Sequence, residues 1–200
     1  PKFVFLIGRA VTYNDYKINQ ASPDADKLNL VPTFGWPASD ILLAAEPGSV
    51  LPITAIGRLG AVNGNEINNY LQKVIQYDQA QQTPGSTFSS KAWMKDMIHV
   101  AGGKDSLENE IFKQYMNSYK VIAEDSLYGG RVETFTKTST GSVQQANSQR
   151  IEDMFDNGIG FIGYFGHSSA STFEFNLSDP QIYNNAGKYP FFNVSGCSAG

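Results

Sequence analysis

At 200 residues the chain is long enough for one sizeable α/β domain, or for two subdomains sharing a sheet, but not for several independent domains. Hydrophobic residues at 41% against 17% charged, with 13 Phe and 10 Tyr, supply enough apolar surface to offset the entropy of ordering the chain, which excludes a disordered protein. The net charge is −4 and the 15 Lys and Arg are scattered without a basic run, which excludes the electrostatic footprint of a nucleic-acid binder.

No stretch has the run of apolar residues needed to cross a bilayer. The opening PKFVFLIGRAV reads as a buried strand, without the charged start and cleavage site of a signal peptide, so the sequence is expected to begin inside a longer precursor. Its first strand is Phe3 to Ile7. Residues 12 to 37, with Pro23, Pro32, Gly35 and Pro37, read as a long surface excursion. The acidic cluster Asp15, Asp24 and Asp26 in that excursion is a solvated patch in preference to a metal site.

A second strand is expected at Ile53 to Ile56, followed by a helix over Glu66 to Tyr77. There Ile67, Tyr70, Leu71, Val74, Ile75 and Tyr77 recur at spacings of three and four, and Asn65 is the expected N-cap. Residues 81 to 90 read as a polar loop. Met97 to Ala101 is a third strand, and His99 inside it, among apolar neighbours, reads as a structural histidine. Next come a helix from about Ser106 to Ala123, a strand at Val132 to Thr136, and a helix from about Val143 to Asp156 closed by Asn157-Gly158. The last two strands are Ile159 to Phe165 and Phe191 to Val194.

This alternation predicts an α/β fold with a mostly parallel sheet covered by helices on both faces. It is expected to form a single domain over 1–200, with 1–85 and 86–200 as candidate subdomains. Gly158, Gly160 and Gly163 match G-x-G-x-x-G, but the pattern follows a helix and runs through a strand instead of opening a helix, so no dinucleotide is expected. Two histidines and one cysteine are too few for a zinc site of the usual kind, and no metal is assigned.

In an open α/β sheet, ligands bind beyond the carboxyl ends of the strands. GFIGYFGHSS brings His167 just past one strand, and PFFNVSGCSAG brings the sole cysteine, Cys197, just past the next. The 30 residues between them suit a crossover joining neighbouring parallel strands. A thiol is mostly protonated at neutral pH, and an imidazole that takes its proton makes it a strong nucleophile. Gly166, Gly196 and Gly200 flank the pair and leave main-chain N–H groups open to a substrate, so the N–H groups of Ser168 and Cys197 are candidates for an oxyanion hole.

GYFGHSS and YNNAGKYPFFNVSGCSAG together resemble the catalytic His and Cys blocks of the gingipain-like cysteine peptidases. Upstream, PKFVFLIGRA resembles that family's opening strand, and PASDILLAAEPGSVLPITAIGRLGAVNGNEINNYLQKVIQYDQ its Ser-Asp block, Gly-Arg strand and following helix. The resemblance implies a caspase-like fold truncated at its C-terminus, a Cys-His centre that uses no cofactor, a peptide or protein substrate, and secretion to a bacterial cell surface by a type IX route. A structural calcium ion and the oligomeric state are not assignable from it.

By the same resemblance His167 is the general base and acid and Cys197 the nucleophile. Phe173, six residues past His167, stands where family members often carry a pocket-lining Trp; ordinary core packing is the alternative. Two departures stand out, and one further position is a candidate pocket residue. Ser168 replaces the glycine that normally follows the histidine. The acidic residue that assists the histidine in some members has no clear counterpart, with Ala101 near its place. Glu108 or Glu110 could line the primary pocket and favour a basic residue there, and a solvated helix N-terminus accounts for both equally well.

The expected activity is therefore thiol endopeptidase, with two alternatives. A sortase-like transpeptidase shares the acyl-enzyme, and a peptidase-like scaffold could serve only in binding or assembly. A flavodoxin-like ligand-binding domain would need a phosphate loop after the first strand, for which Gly8-Arg9-Ala10 is a poor candidate.

Overall fold

A computed structural model of the chain describes residues 2–35, 38–82, 85, 87–136, 145–169, 172–173 and 179–196, the side chains of 145–148, 168–169, 172–173 and 180 excepted. The chain divides into two compact units, Pro1–Gln72 and Lys73–Gly200, with the division inside a long helix.

In the first unit, β1 (Phe3–Ile7) pairs in parallel with β2 (Ala55–Leu59), from Phe3 opposite Ala55 to Ile7 opposite Leu59. β2 starts two residues later than the apolar run suggests and continues through Arg58, because the guanidinium is satisfied internally. Its Nε and Nη2 bond the two Asp40 oxygens at 2.7 and 2.6 Å, and its Nη1 donates to the Gly8 and Val31 carbonyls, both at 2.6 Å. The excursion between the strands holds two short helices, α1 (Tyr13–Ile18) and α2 (Pro23–Leu28). Thr12 and Ser22 cap them by accepting the N–H groups of Asp15 and Asp24. Phe3, Phe5 and Ile7 stay largely exposed, so β1 is not the strand buried on both faces that its composition suggests.

Helix α3 (Gly64–Gln82) begins earlier than expected, and its cap is Asn63 in place of Asn65. The Asn63 Oδ1 accepts the Glu66 N–H at 3.1 Å, while Glu66 accepts the N–H of Val62, the residue before the cap, at 2.9 Å.

The second unit continues with the short α4 (Phe88–Lys91) and is built on a four-stranded, all-parallel sheet. Its strands are β3 (Asp96–Gly102), β4 (Arg131–Thr136), β5 (Phe161–Gly166) and β8 (Phe191–Ser195), in the order β4-β3-β5-β8. Two-residue strands β6 (Ser168–Ser169) and β7 (Thr172–Phe173) form an antiparallel pair directly after β5.

Two helices cover the sheet from opposite sides. Ile98 and Val100 of β3, Phe135 of β4, and Ile162 and Tyr164 of β5 form one core with Ile151, Met154 and Phe155 of α6 (Gln145–Asn157). Positions alternate across a strand, so Met97, His99, Gly163 and Phe165 face the other way, towards α5 (Ser106–Ala123). There Phe112 meets Phe165 edge-on at 4.7 Å and Tyr115 meets it at 5.8 Å. α6 ends, as expected, before a glycine in the left-handed region, Gly158 at φ +92°. Among the described residues no helix is long and apolar enough to cross a membrane.

Candidate active site

The parallel ladder sets the geometry at the carboxyl end of the sheet. Gly102 of β3 lies opposite Gly166 of β5, and Phe165 of β5 lies opposite Ser195 of β8. The two strands expected to carry the imidazole and the thiol are therefore hydrogen-bonded neighbours. His167 lies two residues past Phe165, and Cys197 two residues past Ser195; Cys197 itself is outside the described residues.

β3 and α5 together hold His167. Its backbone N–H extends the ladder by donating to the Gly102 carbonyl at 3.1 Å. Its ring Nε2 is 2.9 Å from Oε2 of Glu108, and the Phe112 ring lies 5.9 Å from the imidazole. Glu108 and Phe112 are four residues apart on α5 and so share one helical face, which gives the imidazole a charged contact and an apolar one.

Glu108 is also the N3 residue of α5. Asp105, the N-cap, accepts the Glu108 N–H at 2.9 Å, and the Glu108 Oε2 accepts the Lys104 N–H at 2.7 Å. The Lys104 backbone bond first, and the His167 contact second, hold the Glu108 carboxyl below the usual carboxylate range. An ionised carboxylate only accepts hydrogen bonds, so it takes a proton carried on Nε2 and leaves Nδ1 as the basic nitrogen.

Close packing places this helix turn. A Cβ on Gly103 would stand 2.7 Å from the Asn109 nitrogen and 2.8 Å from the Glu108 carbonyl carbon, so only glycine lets β3 run this close to the start of α5. The Asn109 side chain ties the two by accepting the Gly103 N–H at 2.7 Å.

The remaining candidates are placed as follows. Ser168 follows His167 as the first residue of β6 and pairs across the hairpin with Phe173, whose side chain is outside the described residues. Glu110 lies two positions, about 200°, round α5 from Glu108; it is exposed, with Lys113 3.8 Å away. His99 is 3% exposed on the α5 face, and burial holds its imidazole below its ordinary pKa. It lines an apolar hollow of about 510 Å³ with Met97, Met116, Phe161, Asn193 and Ser195. Its environment is that of a neutral structural histidine. Among the described residues no group of three or more His, Cys, Asp or Glu could hold a metal ion.

Glu108 was expected as a candidate pocket residue at the start of a helix, and its contact with His167 was not foreseen. Its signal was the pattern D-x-x-E straight after a strand, an N-terminal helix signature that fixes where the carboxylate starts but not what it meets. The partner lies 59 residues away and is brought in only by the pairing of β3 with β5.

No curated protein matches this sequence. Among solved structures, the crystal structure of the Arg-specific cysteine proteinase gingipain R aligns with the whole chain at a TM-score of 0.62 and 12% identity. The chain spans 55% of that protein's length. At that identity the likeness shows the fold, which is the caspase-like α/β fold. The profile of Peptidase family C25 matches residues 1–200, and the chain therefore belongs to peptidase family C25.

Proposed function

We propose that the chain carries the catalytic pair of a cysteine endopeptidase, with Cys197 as nucleophile, His167 as general base and acid, and Glu108 as the carboxylate that orients the imidazole. The observation that carries this reading is the Glu108–His167 contact at the carboxyl end of β5, beside the strand that leads to the only cysteine.

With its proton directed at Glu108, His167 offers Nδ1 to the thiol. The thiolate adds to a peptide carbonyl, and the imidazolium, stabilised by Glu108, protonates the departing amine. Water then releases the acyl group. The N–H groups of Ser168 and Cys197 would receive the oxyanion. Phe173 would line the pocket for the residue before the scissile bond, whereas Glu110, on the opposite side of α5 from Glu108, has no part in this reading. Membership of a peptidase family implies a protein substrate. The secreted or cell-surface location and type IX route implied by the family resemblance belong to this proposal, and cell fractionation tests them.

An acidic residue beside His167 speaks for an active enzyme, and Ser168 in place of the family's glycine speaks for a peptidase-like scaffold. Alkylation of Cys197 by iodoacetamide across pH 5 to 9 tests the reading. A reactive thiol whose rate at neutral pH falls at least tenfold in His167→Ala is expected; an ordinary slow thiol, equally fast in that variant, would sink the proposal. Hydrolysis and transpeptidation share the acyl-enzyme, and product analysis with and without an added amine separates them.

A further inference from the structure

The core of the second unit contains a phenol whose hydroxyl reaches out of it. Tyr164 is 6% exposed and packs with Phe155, Ile151 and Ile162 on the α6 face of the sheet. A buried phenolic hydroxyl needs a hydrogen-bond partner. One partner here is the main-chain carbonyl of His167, three residues further along the same strand.

Gly166 opens the way for that contact. Residues two apart on a strand share a face, so a side chain at position 166 would stand over the Tyr164 ring. A Cβ there would come within 3.0 Å of the Tyr164 Oη and 2.6 Å of the Gly102 carbonyl oxygen. Both ends of the His167 backbone are thus held, the N–H by the Gly102 carbonyl and the C=O by Tyr164.

We infer that Tyr164 is a positioning residue for the oxyanion hole. In a planar trans peptide the C=O and the next N–H point in opposite directions. Holding the His167 carbonyl on the α6 face therefore aims the Ser168 N–H towards the other face, the side on which the imidazole meets Glu108 and Phe112. During acylation the thiolate sulfur bonds the carbonyl carbon, and the C=O π pair moves onto oxygen. That negative charge needs a donor already in place, and the Tyr164 hydroxyl keeps the Ser168 peptide from rotating away from it. The inference rests on the function proposed above.

The test compares the parent with Tyr164→Phe, which removes one oxygen and keeps the ring. Alkylation by iodoacetamide displaces iodide and forms no oxyanion, whereas peptide cleavage and binding of a peptide aldehyde both place an oxyanion at the site. Expected are a fall of about tenfold in kcat with KM within twofold, below the hundredfold or more typical of deleting an oxyanion donor outright, and a parallel loss of aldehyde affinity. The alkylation rate and its pH profile should stay within twofold. Cleavage within twofold of the parent overturns the inference, and so does an equal loss of cleavage and alkylation, which marks a merely structural role. A parent with no His167-dependent cleavage or alkylation refutes the underlying function and removes this inference with it.

Discussion

Replacing Arg58 by Met should destabilise the first unit by about 3 kcal/mol. The aliphatic stem is largely kept, so the loss is that of the guanidinium. Four short bonds vanish, two to Asp40 and one each to the Gly8 and Val31 carbonyls. The Arg58 and Asp40 side chains are 13% and 23% exposed, so the carboxylate left behind is only partly able to hydrate. Breaking a buried ion pair by removing one partner typically costs about 3–5 kcal/mol. The residual exposure of Asp40 favours the lower end, equivalent to roughly a hundredfold in the folding equilibrium constant.

Urea unfolding monitored by circular dichroism measures that loss. Amide exchange of residues 29–35 locates it, because Arg58 pins that segment through the Val31 carbonyl. A pH series adds a signed check. The Arg58 hydrogen bond, assisted by its charge and opposed by burial, holds the Asp40 carboxyl below its ordinary range. A carboxyl depressed in the folded state stabilises fully above its unfolded pKa of about 4 and loses that contribution as pH falls through the folded value. The gap between parent and variant should therefore be constant near neutrality and narrow below about pH 4. A loss under about 1 kcal/mol with unchanged exchange at residues 29–35 would refute the assignment of Arg58 as a clamp.

Glu108→Gln should lower kcat/KM by about ten- to a hundredfold, as expected for loss of a charged partner that orients a catalytic group, with helix content unchanged by circular dichroism. Because the Glu108 carboxyl is held below the usual range, the pair should persist to lower pH than an ordinary glutamate would allow, and an acid limb near neutrality belongs to another group. Gly103→Ala should cost about 1–3 kcal/mol by overpacking in thermal unfolding and reduce turnover as well, since the added carbon meets backbone that carries Glu108. Stability should decline as pH falls below about 6.5, because the unfolded chain protonates His99 while burial disfavours its charged form. His99→Gln should flatten that slope in urea titrations at pH 5 to 7.

The strand ends at His167 and Cys197 were legible because a parallel crossover and the strand-end rule are local and topological arguments, and the pairing of β5 with β8 agrees with them. α5 was legible at both ends because its capping sequence and apolar spacing agree. α1 and α2 were hidden by the proline-rich composition around them, although Thr12 and Ser22 are ordinary N-cap residues. β2 was misplaced because a charged residue inside a strand reads as its end, and only the distant Asp40 and Val31 make Arg58 tolerable there. The His167–Glu108 contact was illegible for a related reason. Sequence shows that a carboxylate caps a helix, whereas which imidazole it faces depends on strand order.

The proposed base and nucleophile follow two strands that are paired in one register. Among the described residues, β5 is hydrogen-bonded on one side to β3 and on the other to β8. Sliding β8 by two residues, the smallest step that keeps each side chain on its own face, would carry its far end about 6.6 Å along the strand. That exceeds the reach of any hydrogen bond, so in the proposed mechanism the register between β5 and β8 would decide whether the sulfur and the ring can exchange a proton.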